Sequence, residues 1–424
     1  MVAQSNTPTR DEVEKYRTTK LRPFRILNGC VGLIVLALVL SWPATALGQL
    51  EVDEQIDRER DDVDDGGYHL GRGWLDLQLE GYDRFITGRD DLDFYFYYYP
   101  MFQAGRADGE TRGTFNQKIG SFFTWIPVRT PDHQGSLKIW IDWSTVPAGA
   151  VTKDFSRRLG LEQLVNDNDA KRSKLKLAEL YWQSELASGR LKIDVGQMDP
   201  YLHLILNDYA YWDRENGFAQ ALATDVVTAL GDPGIGALVF ATARSGLYLG
   251  GGFVDADANG KYPDMESLAH GKFVYTAEVG WTGEVTAGKG EVRLNYANAP
   301  TKQDFNGGES CSLSASLDIS PAVALWLRAA HAPRPSQEMQ SQLAGGIVIK
   351  GPFGWESDRI LIGVGRTRPT DRTLRDETVI EAQWRLQLTA RWRLSPNLQL
   401  YLDPARDESR STVLVPGVRM FVKF

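Results

Sequence analysis

The last fourteen residues, Ser411–Phe424, read STVLVPGVRMFVKF. Successive side chains of an extended chain point to opposite sides. Leu414, Pro416, Val418, Met420, Val422 and Phe424 therefore share one face, and Arg419 and Lys423 lie on the other. One face suits lipid and the other suits water. A terminal strand that stops on an aromatic residue is the usual address for outer-membrane assembly. The segment thus predicts a strand placed in the bacterial outer membrane.

The same alternation recurs upstream. Between Thr378 and Thr389, Ile380, Ala382, Trp384, Leu386 and Leu388 oppose Glu381, Gln383, Arg385, Gln387 and Thr389. In Ala178 to Leu186, Leu180, Trp182 and Leu186 oppose Glu179, Tyr181, Gln183 and Glu185. Leu191, Ile193 and Val195 oppose Lys192 and Asp194. Half-buried soluble sheets also alternate, so the location of the chain must come from other features.

After Gly48 there is no apolar run long enough for a spanning helix, and mean hydropathy is −0.31. A spanning chain of this kind must satisfy its backbone through a closed sheet, because open edges are too costly in lipid. Outer-membrane barrels join tilted strands by short periplasmic turns and longer outer loops. Counting back from Phe424 as a periplasmic end puts the outer connections near 404–410, 368–375, 331–342, 298–309, 255–270, 199–233 and 144–174. The inner ones fall near 390–396, 352–357, 320–321, 282–288, 243–245, 187–189 and 128–135. The two longest connections land outside, and the tight turns Ser320-Pro321 and Ala187-Ser188-Gly189 land inside. A soluble sandwich has no reason to sort them so.

Candidate strands starting near Trp74 number about 17, whereas an antiparallel barrel with both ends in the periplasm needs an even count. Trp74–Phe85 and Asp93–Phe102 are the segments in question. The expected fold is all-β, a transmembrane antiparallel barrel of about 16 strands with 18 as the alternative, wide enough at that size for an aqueous channel.

Gly29–Trp42, GCVGLIVLALVLSW, follows Lys15, Arg17, Lys20, Arg22 and Arg25 and precedes Ala44-Thr45-Ala46. That order is a secretory signal, residues 1–48, with cleavage after Ala46 or Gly48; an uncleaved anchor is the alternative. Residues 49–70 form an acidic segment expected to be solvated and disordered, and 71–424 the barrel. The chain holds 47 Lys and Arg against 55 Asp and Glu, a net charge of −8, the wrong sign for nucleic-acid binding. Of two cysteines, Cys30 lies in the signal and Cys311 is left alone, so no internal disulfide forms and no CxxC site exists. The five histidines are scattered. No metal or cofactor is implied.

Two stretches carry a family likeness. Glu377–Pro404, ETVIEAQWRLQLTARWRLSPNLQLYLDP, resembles the C-terminal signature of carbohydrate-selective porins of the OprB type. Leu177–Pro200, LAELYWQSELASGRLKIDVGQMDP, resembles that family's strand hairpin, and the long loop with Ile235–Phe240 after it also fits. The likeness covers roughly residues 155–424. It implies a 16-stranded pore for passive diffusion of small sugars, without fixing which sugar. The family's WGG-type opening is absent, Gly71–Phe85 standing there instead, and Asp194 replaces a frequent basic residue before Val195-Gly196-Gln197. The second departure bears on lumen charge.

A sugar pore needs aromatic planes for CH faces, donors and acceptors for hydroxyls, and binding weak enough for release. Glu381 and Arg385 share one wall of the expected lumen, and Glu179, Glu185, Lys192, Asp194, Arg293 and Arg328 are further candidates by parity. Loop 199–233 holds Tyr211 and Trp212 within YAYWDREN. Folded inward, it would narrow the pore; as a rim loop, its aromatics would belong to the interfacial girdle. Most lumen charges only solvate a channel. Asp and Glu are plentiful, but no catalytic motif marks a pair, so no enzyme is expected. A general or sugar-acid/ion porin and a secreted glycan-binding β-protein remain as alternatives. The expected partners are small sugars and outer-membrane lipid, as a monomer or a trimer.

Overall fold

A computed structural model describes residues 68–70, 89, 91–107, 109–166, 173–211, 217–301 and 307–424. The expected signal segment, nearly all of the expected acidic segment, Trp74–Phe85 and Trp212 lie outside the described residues.

Sixteen strands form one closed barrel in which each pairs antiparallel with its sequence neighbours. They are β1 Leu92–Ala107, β2 Glu110–Arg129, β3 His133–Gly149, β4 Ser173–Leu186, β5 Leu191–Met198, β6 Gly234–Thr242, β7 Leu247–Asp255 and β8 Phe273–Val285. The second half is β9 Gly288–Ala299, β10 Gly308–Ser320, β11 Val323–Arg334, β12 Met339–Lys350, β13 Arg359–Pro369, β14 Glu377–Gln387, β15 Trp392–Leu402 and β16 Thr412–Lys423. The terminal strand closes the ring on β1, with Tyr97 opposite Lys423 and Met101 opposite Arg419. Closure removes both edges, which lipid requires. Of the two segments in question, Asp93–Phe102 lies in β1.

Alternation along each strand separates two environments. On β16, Leu414 is 52% exposed and Val418 37%, while Val415 is fully buried and Arg419 2% exposed. On β14, Ile380 faces outward and Glu381, Gln383, Arg385 and Gln387 are buried. Leu249, Leu294, Leu343, Ile362, Val364 and Leu398 continue the exposed apolar surface around the barrel. An apolar outer face with a polar interior is the pattern of a membrane barrel and inverts that of a soluble one.

The connections sort as the count from Phe424 predicts. Those at 199–233 and 150–172 are long and lie at one end; 187–190 and 321–322 are tight and lie at the other. In the inner turn, Ala187 (φ 55°), Ser188 (φ 57°) and Gly189 (φ 78°) all adopt the left-handed conformation, closing a four-residue connection. One outer connection, 108–109 between β1 and β2, is also only two residues long.

Candidate functional site

Buried backbone N–H and C=O groups need partners, so a loop can enter a barrel only if the wall supplies them. The inner wall does so for loop 199–233. At its root, a 3₁₀ turn (Pro200–Leu202) is capped by Asp199, which accepts from Tyr201 N and pairs with Lys176 at 2.8 Å. Further on, Ile205 N donates to Glu278 on β8 (2.8 Å) and Asp208 N to Glu291 on β9 (2.8 Å). Asn207 Nδ2 donates to Ser314 on β10 at 2.9 Å. The Tyr209 hydroxyl donates to Asp318 and accepts from Lys350 Nζ at 3.0 Å.

The far half is held as densely. Arg328 on β11 donates through Nη2 to Ala210 O at 2.6 Å. Gln342 on β12 donates to Ala221 O (2.7 Å) and Thr224 O (2.8 Å) and accepts from Val226 N (3.0 Å). Gly217 N donates to Gln383 (2.7 Å). Phe218 N and Ala219 N donate to the two oxygens of Glu381, each at 2.8 Å. Arg419 donates to Gly217 O (3.2 Å) and stacks over Phe218, 4.3 Å from the ring centroid. A short helix, α2 (Gln220–Ala223), ends the run. It lies close to β13 because Gly363 and Gly365 carry no side chain there: a Cβ on Gly365 would stand 2.9 Å from Leu222 Cδ2.

The second long loop also turns inward. Helix α1 (Thr152–Arg158) leads into Leu159, Leu161 and Val165, which are fully buried. They form one apolar cluster with Ala210, Ala219 and Leu222 of the first loop and Val379, Tyr401, Val413 and Val415 of the wall. Glu377 accepts from Glu162 N and Gln163 N at 3.2 Å each, and Val165 O accepts from Gln103 (3.1 Å) and Gln399 (2.8 Å). Apolar contact joins the two loops while hydrogen bonds join each to the wall.

His203 is buried between two wall carboxylates, with Nε2 3.0 Å from Glu179 and Nδ1 3.2 Å from Asp194. Burial works against its charge, but the hydrogen bonds to Asp194 and Glu179 outweigh it and raise its pKa to about 9. The imidazolium therefore pins the loop root to β4 and β5. Lys192 stands 3.5 Å from the same Asp194.

The residues singled out by parity all face inward where described, and they divide into groups. Glu179, Lys192 and Asp194 join the His203 cluster, with half-buried Glu185 opposite Lys192 in the β4–β5 pairing. Glu381 and Arg328 hold the first loop. Arg293 is a separate, half-buried centre, 3.0 Å from Glu291, 3.6 Å from Glu278 and 3.1 Å from the Tyr248 hydroxyl. Arg385 sits toward the periplasmic end, opposite Arg359 in the pairing and 3.4 Å from Ser357 O, rather than beside Glu381. Tyr211 is half-buried in the inward loop.

Glu377, Gln399, Gln342, Gln383 and Arg419 do comparable work and were not singled out; strand parity marks them as inward-facing but names no partner. A basic wall completes the lumen on β14–β16 and the turn between β14 and β15: Arg385, Arg391, Arg393, Arg419 and Lys423. Lys423 lies 4.4 Å over the Tyr95 ring and Arg393 5.3 Å over Phe421, distances at which a ring face stabilises a cation.

Comparison with known proteins gives four findings. The model of the carbohydrate-selective porin, OprB family, matches residues 150–424. The high-pH structure of OprB from Pseudomonas putida superposes with a TM-score of 0.69 at 15% identity, covering 83% of this chain and 97% of that one. The low-pH structure of the same porin gives 0.54 at 14% identity, covering 85% and 100%. Porin AaxA of Chlamydia abortus is 22% identical over 278 residues, 63% of this chain and 61% of that relative's length. At these identities the two structures show a shared fold.

Proposed function

Because the chain belongs to the carbohydrate-selective porin (OprB) family of the bacterial outer membrane, we propose that it conducts small carbohydrates passively through the lumen, selected at the constriction made by its inward loops. The observation that carries this reading is the pinning of loop 199–233 to the wall by backbone bonds to Glu278, Glu291, Glu381 and Gln383. A loop fixed at so many points gives the channel a constant aperture. A filter needs such preorganisation, since each mobile group would add an ordering cost to every passage.

The inward groups that are only partly buried, and so within reach of solute, include Arg293, Tyr209, Lys350, Glu185 and Tyr211. They include phenol rings for the apolar faces of a sugar, a guanidinium and an ammonium as donors, and a carboxylate as acceptor. None of them needs to hold solute tightly. The basic wall supports a second reading, passage of sugar acids, whose carboxylates Arg recognises in a bidentate manner.

Swelling of liposomes containing the protein, assayed with neutral sugars, sugar acids and salts, tests both. Selective entry of neutral sugars supports the first reading and preference for sugar acids the second. Equal permeation of all solutes reduces the protein to a general pore, and exclusion of all removes the porin reading.

A further inference from the structure

The outward face of β13 changes character along its length. Ile362 and Val364 are exposed and apolar, while Arg366 and Arg368, next on the same face, are 65% and 52% exposed. The neighbouring strands change at the same level. Arg366 stands opposite Leu343 on β12 and Thr378 on β14, and Arg368 stands opposite Ser341. Leu343, Ile347 and Ile380 continue the apolar side, whereas Ser341 pairs onward with exposed His331 on β11. Strand β13 rises from the inner turn 351–358 to the outer connection 370–376. The hydrocarbon layer therefore ends near Arg366, at the headgroup level of the outer leaflet. A lipid-facing Arg costs about 2–4 kcal/mol at the bilayer midplane but only about 0–1 kcal/mol near the interface, where its fork can reach phosphate.

Both guanidiniums share the Asp376 carboxylate. Arg366 Nη2 donates to Oδ2 at 3.1 Å, and Arg368 donates through Nε to Oδ1 (3.1 Å) and through Nη2 to Oδ2 (3.2 Å). Each guanidinium carries five N–H donors, so these bonds leave most of the pair's donors open, and the exposure of both side chains places them outside the barrel. Two cations against one anion leave a positive charge unbalanced. In the connection that follows, exposed Arg372 and Asp371 balance each other, and Arg375 is turned to the carbonyls of Pro404, Asp407 and Arg410. Residues two apart on a strand stand about 7 Å from each other, close enough for both long side chains to converge on one phosphate group. Arg suits that anion because its planar fork matches two phosphate oxygens at once. The anion present at this depth of an outer membrane is lipid phosphate, and a phosphorylated, multiply acylated glycolipid matches both the cationic and the apolar part of the surface.

We propose that Arg366 and Arg368 form a binding site for the phosphorylated glycolipid of the outer leaflet, lipid A, with a phosphate on the two guanidiniums and acyl chains along Val364, Ile362 and Leu343. The proposal rests on the place of the barrel in the outer membrane and is independent of which solute passes.

Native mass spectrometry of the folded protein, released from neutral detergent micelles, counts bound lipid during titration with purified lipid A. The unmodified chain should hold one lipid A more tightly than any further copies. Arg366→Gln combined with Arg368→Gln should weaken that binding about tenfold or more, as expected for the loss of one or two charge-assisted hydrogen bonds. Lipid A stripped of its phosphates should bind the unmodified chain no better. Arg190→Gln, which removes an exposed arginine from the inner turn, should leave the affinity unchanged. Asp376→Asn removes the competing carboxylate and should tighten binding severalfold, an effect that a merely structural role for the cluster would not produce. Heat-modifiable gel mobility verifies folding, and if the double variant fails to fold, the stripped lipid and Asp376→Asn carry the test. Equal affinity of the double variant for lipid A, or of the unmodified chain for the stripped lipid, would overturn the proposal. So would displacement of lipid A by millimolar inorganic phosphate, the mark of a free-anion site, or equal affinity for phosphatidylglycerol, the mark of a general acidic-lipid surface.

Discussion

Replacing Glu381 by Ala should release Gly217–Ala223 from the wall while the barrel stays closed. The Glu381 carboxylate is fully buried and accepts Phe218 N and Ala219 N at 2.8 Å and Gln399 Nε2 at 3.1 Å. Alanine leaves the two backbone N–H groups without an acceptor. Each loss costs about 1–3 kcal/mol when the group remains buried. A combined loss of about 4 kcal/mol raises the local opening equilibrium about 10³-fold. Glutamine keeps an acceptor oxygen and loses the charge-assisted share, so its effect should be roughly the square root of that. The ladder is untouched, because Glu381 pairs with Gly363 and Gln399 through its backbone. Hydrogen exchange of the Phe218 and Ala219 amides, measured beside those of β14, reads the effect directly, and single-channel conductance should rise with it. The reasoning fails if those two amides exchange at the unmodified rate. It fails equally if acceleration spreads evenly over β13–β15, because Glu381 would then support the barrel rather than the loop.

Three further outcomes follow from named contacts. His203 contributes to loop anchoring fully below pH about 6.5, its unperturbed value, and that contribution, of order 3 kcal/mol, is lost as pH rises through about 9. Conductance or loop exchange should therefore step up between those limits, and an identical step in His203→Gln would refute the assignment. Leu398→Arg, on the outer face, should lower folding stability in vesicles by about 2–4 kcal/mol, read as a lower urea midpoint; an unshifted midpoint would remove that residue from the lipid surface. Gly365→Leu should displace Leu222 and α2 and change conductance with the heat stability of the barrel kept, whereas an unchanged conductance would mean that α2 is not seated on β13.

The faces of the strands were legible because lipid and lumen differ sharply and the strand period is two. Leu414 and Arg419 reveal opposite environments from sequence alone, and counting from Phe424 carried the assignment back to β3. The odd count arose before Ser136, where Trp74–Phe85 also alternates, and β1 proves to begin at Leu92. The inward course of loop 199–233 was one of two readings of its aromatic and polar mixture. The inward turn of 150–166 left no comparable sign, since Leu159, Leu161 and Val165 look like any apolar loop residues. His203 gave none either. Its carboxylates, at 179 and 194, meet it only after β4 and β5 pair and the chain turns back past Asp199.

Parity identifies an inward residue but leaves open whether it serves the solute or the loop. Glu381 finds its partners more than 160 residues away in sequence, and Arg328 more than 100. Two inward residues of the same wall can therefore have different consequences when removed. Loss of Glu381, Glu377 or Gln342 loosens a loop and should raise conductance while blurring discrimination among solutes. Loss of partly buried Arg293, whose bonds run to Glu291, Glu278 and Tyr248 of the wall, should alter which solutes pass with little change in current. A rise in conductance thus separates the groups that build the filter from those that face what it filters.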